Sequence, residues 1–240
     1  MKKYCSKIKT YFTEDKTIFA KGYCGKKIFF IFVIFSIFGA YYEEILTLTR
    51  TFLRTGIIEW QARRGVLYGP FSPIYGAGAV LLYVFLGKKE NLSWLKTFIY
   101  GSIFGGVFEY LISLLQEIFT GTTSWDYSHH ILNIGGRTTI IYMLFWGLLT
   151  VLFLKILCPI LSRLLEKIPN RIGNYITVCL AVFLFFDCLI SWTALIRSYL
   201  RREQIEPITP VGRLYDKIYP DTVLQESFPN MNFQPKGVKK

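Results

Sequence analysis

An all-α polytopic bundle, with about five membrane-spanning helices and one interfacial amphipathic helix, is the fold class that three observations predict. The chain of 240 residues is 52% hydrophobic and 18% aromatic, more apolar than a soluble core requires. Its mean hydropathy is +0.36, and its apolar residues fall into runs long enough for helices of roughly 20 residues to cross hydrocarbon. The charged residues, 18% of the chain, cluster between those runs, as they do where lipid excludes them from the spans.

Residues 1–27 form a basic segment with Lys2, Lys3, Lys7, Lys9, Lys16, Lys21, Lys26 and Lys27, read as lying on the cytoplasmic surface. The apolar run after it has no small-residue cleavage site near its end, so it is read as a retained helix and not a signal peptide. A first span is predicted over residues 28–48, with Glu43 and Glu44 near its far end. In residues 50–64, Phe52, Leu53, Ile57 and Trp60 alternate with Arg50, Arg54, Arg63 and Arg64, the pattern of an interfacial helix. A second span, residues 69–86, opens on Gly69-Pro70-Phe71-Ser72-Pro73, since proline is tolerated in a first helical turn. Gly76, Gly78 and Ala79 then allow close backbone approach. Lys88, Lys89 and Lys96 mark a short basic loop.

The third span, residues 97–117, is the most informative. Ser102, Gly106, Glu109, Ser113 and Glu117 recur every three or four residues and share one helix face. Lipid offers that stripe nothing, so it is predicted to face the protein interior. A fourth span covers residues 138–157, followed by the basic Lys155, Arg163, Lys167 and Arg171, and a fifth covers 175–196 with Asp187 near its middle. The transmembrane domain is thus predicted over residues 28–198. Residues 199–240 form a polar tail in which Leu214, Tyr215, Ile218, Tyr219, Leu224, Phe228 and Met231 are candidates for packing on the bundle.

Basic residues beside the spans place the N-terminus in the cytoplasm, although Arg50, Arg54, Arg63, Arg64, Arg197, Arg201 and Arg202 fall on the opposite side. Five spans put residues 50–64, the loop between the third and fourth spans, and the tail on one common side. The net charge of +12 is read as loop lysines and arginines held against an anionic leaflet. Nucleic acid is not an expected partner, because no basic stretch forms a module of its own. The cysteines, Cys5, Cys24, Cys158, Cys179 and Cys188, lack CxxC spacing and suggest neither a disulfide framework nor a metal knuckle.

The candidate site is organised around residues 117–137, EIFTGTTSWDYSHHILNIGGR. Trp125, Asp126, Tyr127, Ser128, Asn133 and Arg137 sit there between two spans, where an ordinary loop carries fewer hydrogen-bonding aromatics. Glu43, Arg64, Tyr68, Glu109 and Glu117 reach the same side and complete a predicted vestibule. The second and fourth helices start at it, so their free N–H groups and positive dipole ends favour an anionic or zwitterionic group. Gly65, Gly69, Gly135 and Gly136 would let a ligand approach the backbone, and an arginine fork grips carboxylate or phosphate. Internal pairing of Arg64 and Arg137 with Glu43, Glu109, Glu117 or Asp126 is the competing account. Glu109 is a candidate proton carrier or polar anchor, and Asp187 a helix-contact group or pathway lining. His129 and His130 are read as a wet loop and not a metal site; Trp125 and Tyr127 also fit an interfacial aromatic belt. No cofactor or metal is expected. GxxxxGK[ST], HExxH and GxSxG are absent, so the chain carries no P-loop and neither of the commonest zinc-protease and serine-hydrolase signatures.

Gly39-Ala40-Tyr41-Tyr42-Glu43, Arg64-Gly65-Val66-Leu67-Tyr68-Gly69-Pro70-Phe71-Ser72-Pro73-Ile74-Tyr75-Gly76, Glu109-Tyr110, Trp125-Asp126-Tyr127-Ser128, Asn133-Ile134-Gly135-Gly136-Arg137 and Phe228-Pro229-Asn230-Met231 resemble a family of bacterial integral membrane proteins called putative ABC-transporter permeases of the CmpB type. The resemblance spans residues 34–233. It implies a polytopic permease-like subunit in the bacterial cell membrane, with ATP handled by a separate ATPase subunit. Ala40 stands where the family pattern has an aromatic, His129-His130 departs from it, and the EAA-type coupling motif of common importer permeases is missing.

Three readings follow. The first is a transport subunit whose vestibule binds a small anionic or zwitterionic solute or a lipid headgroup. The second is a membrane-embedded enzyme acting on lipid or a lipid-linked substrate, with Asp126 or Glu109 as general base. The third is a non-catalytic membrane scaffold.

Overall fold

The computed structural model describes residues 18–87, 92–229 and 231. The lysines from Lys2 to Lys16, Lys88, Lys89, Asn230 and the end of the tail lie outside the described residues.

Helix α1 spans Gly25–Thr55, α2 Pro73–Phe85, α3 Trp94–Thr120, α4 Ile140–Leu165 and α5 Asn170–Arg202. Among the described residues α1, α3, α4 and α5 are long and apolar enough to cross a membrane, and α2 is a shorter apolar helix. Two small helices, α6 (Pro210–Ile218) and α7 (Asp221–Ser227), follow. An antiparallel pair of two-residue strands, β1 (Asn133–Ile134) and β2 (Thr138–Thr139), joins α3 to α4. The all-α polytopic bundle of the sequence reading is the observed architecture.

The chain crosses back and forth. At one end Lys27 bonds Ser162 and Glu166, Lys155 donates to the Leu92 carbonyl at 2.7 Å, and Tyr23 stacks on Tyr83. Glu166 lies outside the spans, and the Lys27 ammonium bonded to it holds its carboxyl below the usual range. At the other end Arg202 donates to the Thr120 carbonyl at 2.9 Å, and Tyr68 meets Tyr219 hydroxyl to hydroxyl at 2.8 Å. The second end is the common side expected for the loop, the central segment and the tail.

Within the bundle α1 packs closely against α2, and α3 against α4, with sparser contact between the two pairs. Glycine makes this possible. A Cβ on Gly39 would stand 2.2 Å from the Tyr75 ring, and one on Gly105 2.3 Å from Trp146, both inside van der Waals distance. Ser102, Gly106, Glu109 and Ser113 of the predicted α3 stripe are buried, while Glu117 at its end is partly exposed. Large apolar side chains such as Phe104, Leu111, Phe145 and Phe185 point outward, the arrangement of a lipid-facing surface.

Three elements differ from their expected form. Residues 50–64 are not a separate interfacial helix: residues 50–55 continue α1, and Gly56 at φ 71° closes it, donating its N–H to the Phe52 carbonyl. Residues 57–64 are irregular, and the Arg63 N–H goes to Glu44 Oε1 at 3.3 Å instead of to a helical carbonyl. The second helix begins at Pro73, four residues later than expected, because a residue before proline is pushed out of helical geometry. Ser72 accordingly has φ −116° and ψ 91°. At 13 residues, α2 rises about 20 Å, less than the roughly 30 Å hydrocarbon thickness. Finally, α4 runs on to Leu165 through a wide π turn at Phe153–Leu157. Pro159 has no N–H to continue the α pattern there, and the Cys158 N–H reaches back to the Phe153 carbonyl.

The start of the tail packs on the bundle. Leu224 and Phe228 are fully buried against Leu67, Ala194 and Leu195, with Tyr215, Tyr219 and Met231 at the edge, whereas Leu214 and Ile218 are exposed.

Candidate functional site

The residues named from the sequence fall into two polar groups. The first is built on α3, the central loop and the start of α4. Glu109, buried on the inward stripe of α3, accepts from Thr138 Oγ1 at 2.7 Å and from the Tyr127 hydroxyl at 3.1 Å. Tyr127 stacks on Tyr142 with ring centroids 4.6 Å apart. Burial, and then the Glu109 charge, push the Tyr127 phenol well above its ordinary range, so it stays a donor to the carboxylate. Arg137 pairs with Glu117, two turns beyond Glu109 on α3, donates to Ser113 Oγ at 3.2 Å and lies over the Tyr110 ring. The Arg137–Glu117 ion pair is one of the pairings that the competing account named.

The loop's own polar residues bind one another. The Trp125 indole donates to the Arg137 carbonyl at 2.9 Å. Asp126 accepts from Ser128 N at 2.8 Å and Ser128 Oγ at 3.1 Å. Asn133 accepts from Gly136 N at 2.9 Å and donates to the Ser128 and His130 carbonyls. Gly135 and Gly136, at φ 59° and 69°, supply the left-handed turn between β1 and β2. Their role is the turn geometry, and Tyr110 and Asp126 lie against them. The α4 N-terminus is capped by Thr139 Oγ1, which accepts from Tyr142 N at 3.1 Å.

The second group is built on residues 61–72 and α5. This irregular stretch folds into the bundle, closed by Gly65 N to the Phe71 carbonyl at 2.9 Å and tied to α1 by Ser72 N to the Ser36 carbonyl at 2.9 Å. Val66, Leu67 and Phe71 are its buried anchors. Its amides find partners on α5: Leu67 N donates to Ser191 Oγ at 2.8 Å, and Tyr68 N to Asp187 Oδ1 at 3.1 Å. Asp187 stands about 25 Å from the start of α5, taking a 1.5 Å rise per residue. Irregular backbone at that depth persists only where protein groups satisfy it, and here one carboxylate and one hydroxyl do so. Arg64 carries a buried Nε without an acceptor among the described residues, and its charge acts on Asp187.

Glu43 of α1 lies beside the first group. It accepts from the Tyr75 hydroxyl of α2 and lies within electrostatic range of Glu109 and Tyr127. The Tyr68 ring is exposed and reaches the tail at Tyr219, whose phenol burial and then the Tyr68 bond push up to about 12.

The sequence reading named the arginines and glutamates. It gave Asp187 only a helix contact or a pathway lining and did not find its partner loop; it missed Ser191, Tyr75 and Thr138. Asp187 and Ser191 are four apart in the apolar middle of α5, the same spacing signal that identified the stripe of α3. Residues 30–192 match a family model described as putative ABC-transporter type IV. No curated protein matches the chain, and neither does any solved structure.

Proposed function

The chain belongs to the putative ABC-transporter type IV family, and from that premise we propose that it is a multi-pass permease subunit of a bacterial cell membrane. In this reading it binds a small anionic or zwitterionic solute or a lipid headgroup in the polar interior, between the loop of residues 61–72 and the Glu109 group. A separate ATPase subunit handles ATP, and the N-terminus is cytoplasmic. The domain division into residues 1–27, 28–198 and 199–240 belongs to the same proposal.

The observation that carries it is the entry of residues 61–72 into the span interior, where backbone amides are met by Asp187 and Ser191. Non-helical backbone at membrane depth is tolerated where it is buried in protein or lines a cavity. Arg64 is the side chain offered to the ligand; Arg137 and Glu117 fix the loop that forms the mouth, with Trp125, Asp126, Tyr127, Ser128 and Asn133; Glu43 and Glu109 tune the local charge. The test is flux of labelled solutes and lipids in proteoliposomes, with and without a candidate ATPase. Movement that falls at least tenfold in Arg64→Gln and Glu109→Gln, at unchanged protein yield, is expected. Absence of movement with every partner tried, together with wild-type growth of cells carrying both substitutions, overturns the proposal.

A further inference from the structure

We propose that Asp187 and Arg64 together bind a zwitterionic group, its ammonium against the Asp187 carboxylate and its acidic end against the Arg64 guanidinium. This rests on the permease reading and narrows its ligand class.

Two of the four buried side-chain atoms without a hydrogen-bond partner among the described residues belong to Asp187 and Arg64. Asp187 is 2% exposed at the middle of a span. Its Oδ1 accepts from Tyr68 N at 3.1 Å and Ser191 Oγ at 3.2 Å, which fixes the carboxylate. Its Oδ2 is buried and has no partner among the described residues. Buried polar atoms are almost always hydrogen-bonded, and a bare carboxylate oxygen in a low-dielectric interior is a strong demand for a donor. Across the same junction the Arg64 Nε is buried and bare as well. The two side chains form no ion pair with each other, although that would satisfy both most simply.

Arg64 precedes a loop locked by the Gly65 to Phe71 bond and anchored by Val66 and Leu67 in the core, while Asp187 is held by the amide of that same loop. A fixed acceptor and an unpaired cation therefore share one junction without bonding each other. A simple anion would satisfy Arg64 but repel Asp187, and a simple cation would do the reverse. A group with an ammonium beside a phosphate or carboxylate answers both with charge-assisted bonds. That chemistry occurs both in small amino-acid-like or phosphoamine solutes and in phosphatidylethanolamine headgroups.

The experiment uses the full-length protein in phosphatidylglycerol nanodiscs, titrated calorimetrically with sn-glycero-3-phosphoethanolamine and with sn-glycero-3-phosphate, which has the acid without the ammonium. The first is expected to bind at least about tenfold tighter, as one charge-assisted bond implies. In a parallel arm, native mass spectrometry compares retention of phosphatidylethanolamine with that of phosphatidic acid. Preference in the soluble arm assigns a solute, and preference only in the lipid arm assigns a headgroup. Asp187→Asn, which keeps the acceptor for Tyr68 and Ser191, should abolish the preference. Ser191→Ala, which keeps the charge, should retain it, and the wild-type comparison needs no variant to fold. Equal affinity for ligands with and without the ammonium in both arms, or an unchanged preference in Asp187→Asn, overturns the zwitterion assignment while leaving the permease reading. Binding of neither probe and neither lipid overturns both.

Discussion

Phe228→Ala should release the tail from the bundle without unfolding the spans. Phe228 and Leu224 are both fully buried, in one cluster with Leu67, Ala194 and Leu195. Truncating a buried phenylalanine costs about 3–5 kcal/mol when the cavity cannot collapse, and here two walls are the rigid α5 and a loop pinned by Asp187. If α6 and α7 open as a local unit, that cost reduces their protection directly. At a factor of ten per 1.4 kcal/mol, amide exchange over residues 210–228 should accelerate by roughly two to three and a half powers of ten, or reach the unprotected rate if docking is weaker than the loss. The ion pairs of Asp216 with Arg197 and Arg201, and of Asp221 with Arg201, remain in the variant. Exchange is measured by mass spectrometry in nanodiscs, with peptides from α3 and α4 as the internal reference. Acceleration below tenfold in the tail, or equal acceleration in α3 and α4, would refute the reasoning.

The same tail should respond to acid. Burial opposes the charge of Asp216, but the bonds from Arg197 and Arg201 outweigh it and hold its carboxyl below the ordinary 3.8; Arg201 and Ser198 do the same for Asp221. Depressed carboxyls contribute stability that is complete above the unfolded value and disappears as pH falls through the folded one. Tail protection, corrected for intrinsic exchange, should therefore be flat from pH 7 to about 5 and fall progressively below 3.8; a loss beginning near pH 6 would contradict this. In the α3–α4 seam, Gly105→Ala would put a Cβ 2.3 Å from Trp146, an overpacking that costs about 1–3 kcal/mol. A lowered thermal midpoint with a Trp fluorescence shift is expected, and an unchanged midpoint would mean the seam yields freely.

The spans were legible because lipid imposes a length and a composition that any 20-residue window reports. The inward face of α3 was legible because Glu109 and Ser113 cannot profit from hydrocarbon. Residues 50–64 misled for a physical reason: Arg50, Phe52, Leu53 and Arg54 have the periodicity of an amphipathic helix, and periodicity does not reveal that the helix is the end of α1. The stop lay in Gly56, and the late start of α2 lay in Pro73 acting on Ser72. The pairing of Asp187 with the amide of Tyr68, separated by 119 residues, leaves no local trace. The central loop stood out in the sequence by its polar aromatics, but that Asp126 bonds Ser128 while Asn133 bonds the loop's own backbone at Ser128, His130 and Gly136 depends on the turn and leaves no composition signal.

The glycine contacts have a mechanical meaning. With Gly39 against Tyr75 in one pair and Gly101, Gly105, Gly106 and Gly147 buried against their neighbours in the other, each pair is a stiff lever with no compressible layer inside it. Compliance is then concentrated along the boundary between the levers, the line on which Glu43 confronts Glu109 and Tyr127. A shift of one pair against the other would therefore change the separation of Glu43 from Glu109 and Tyr127 before it disturbed either glycine seam.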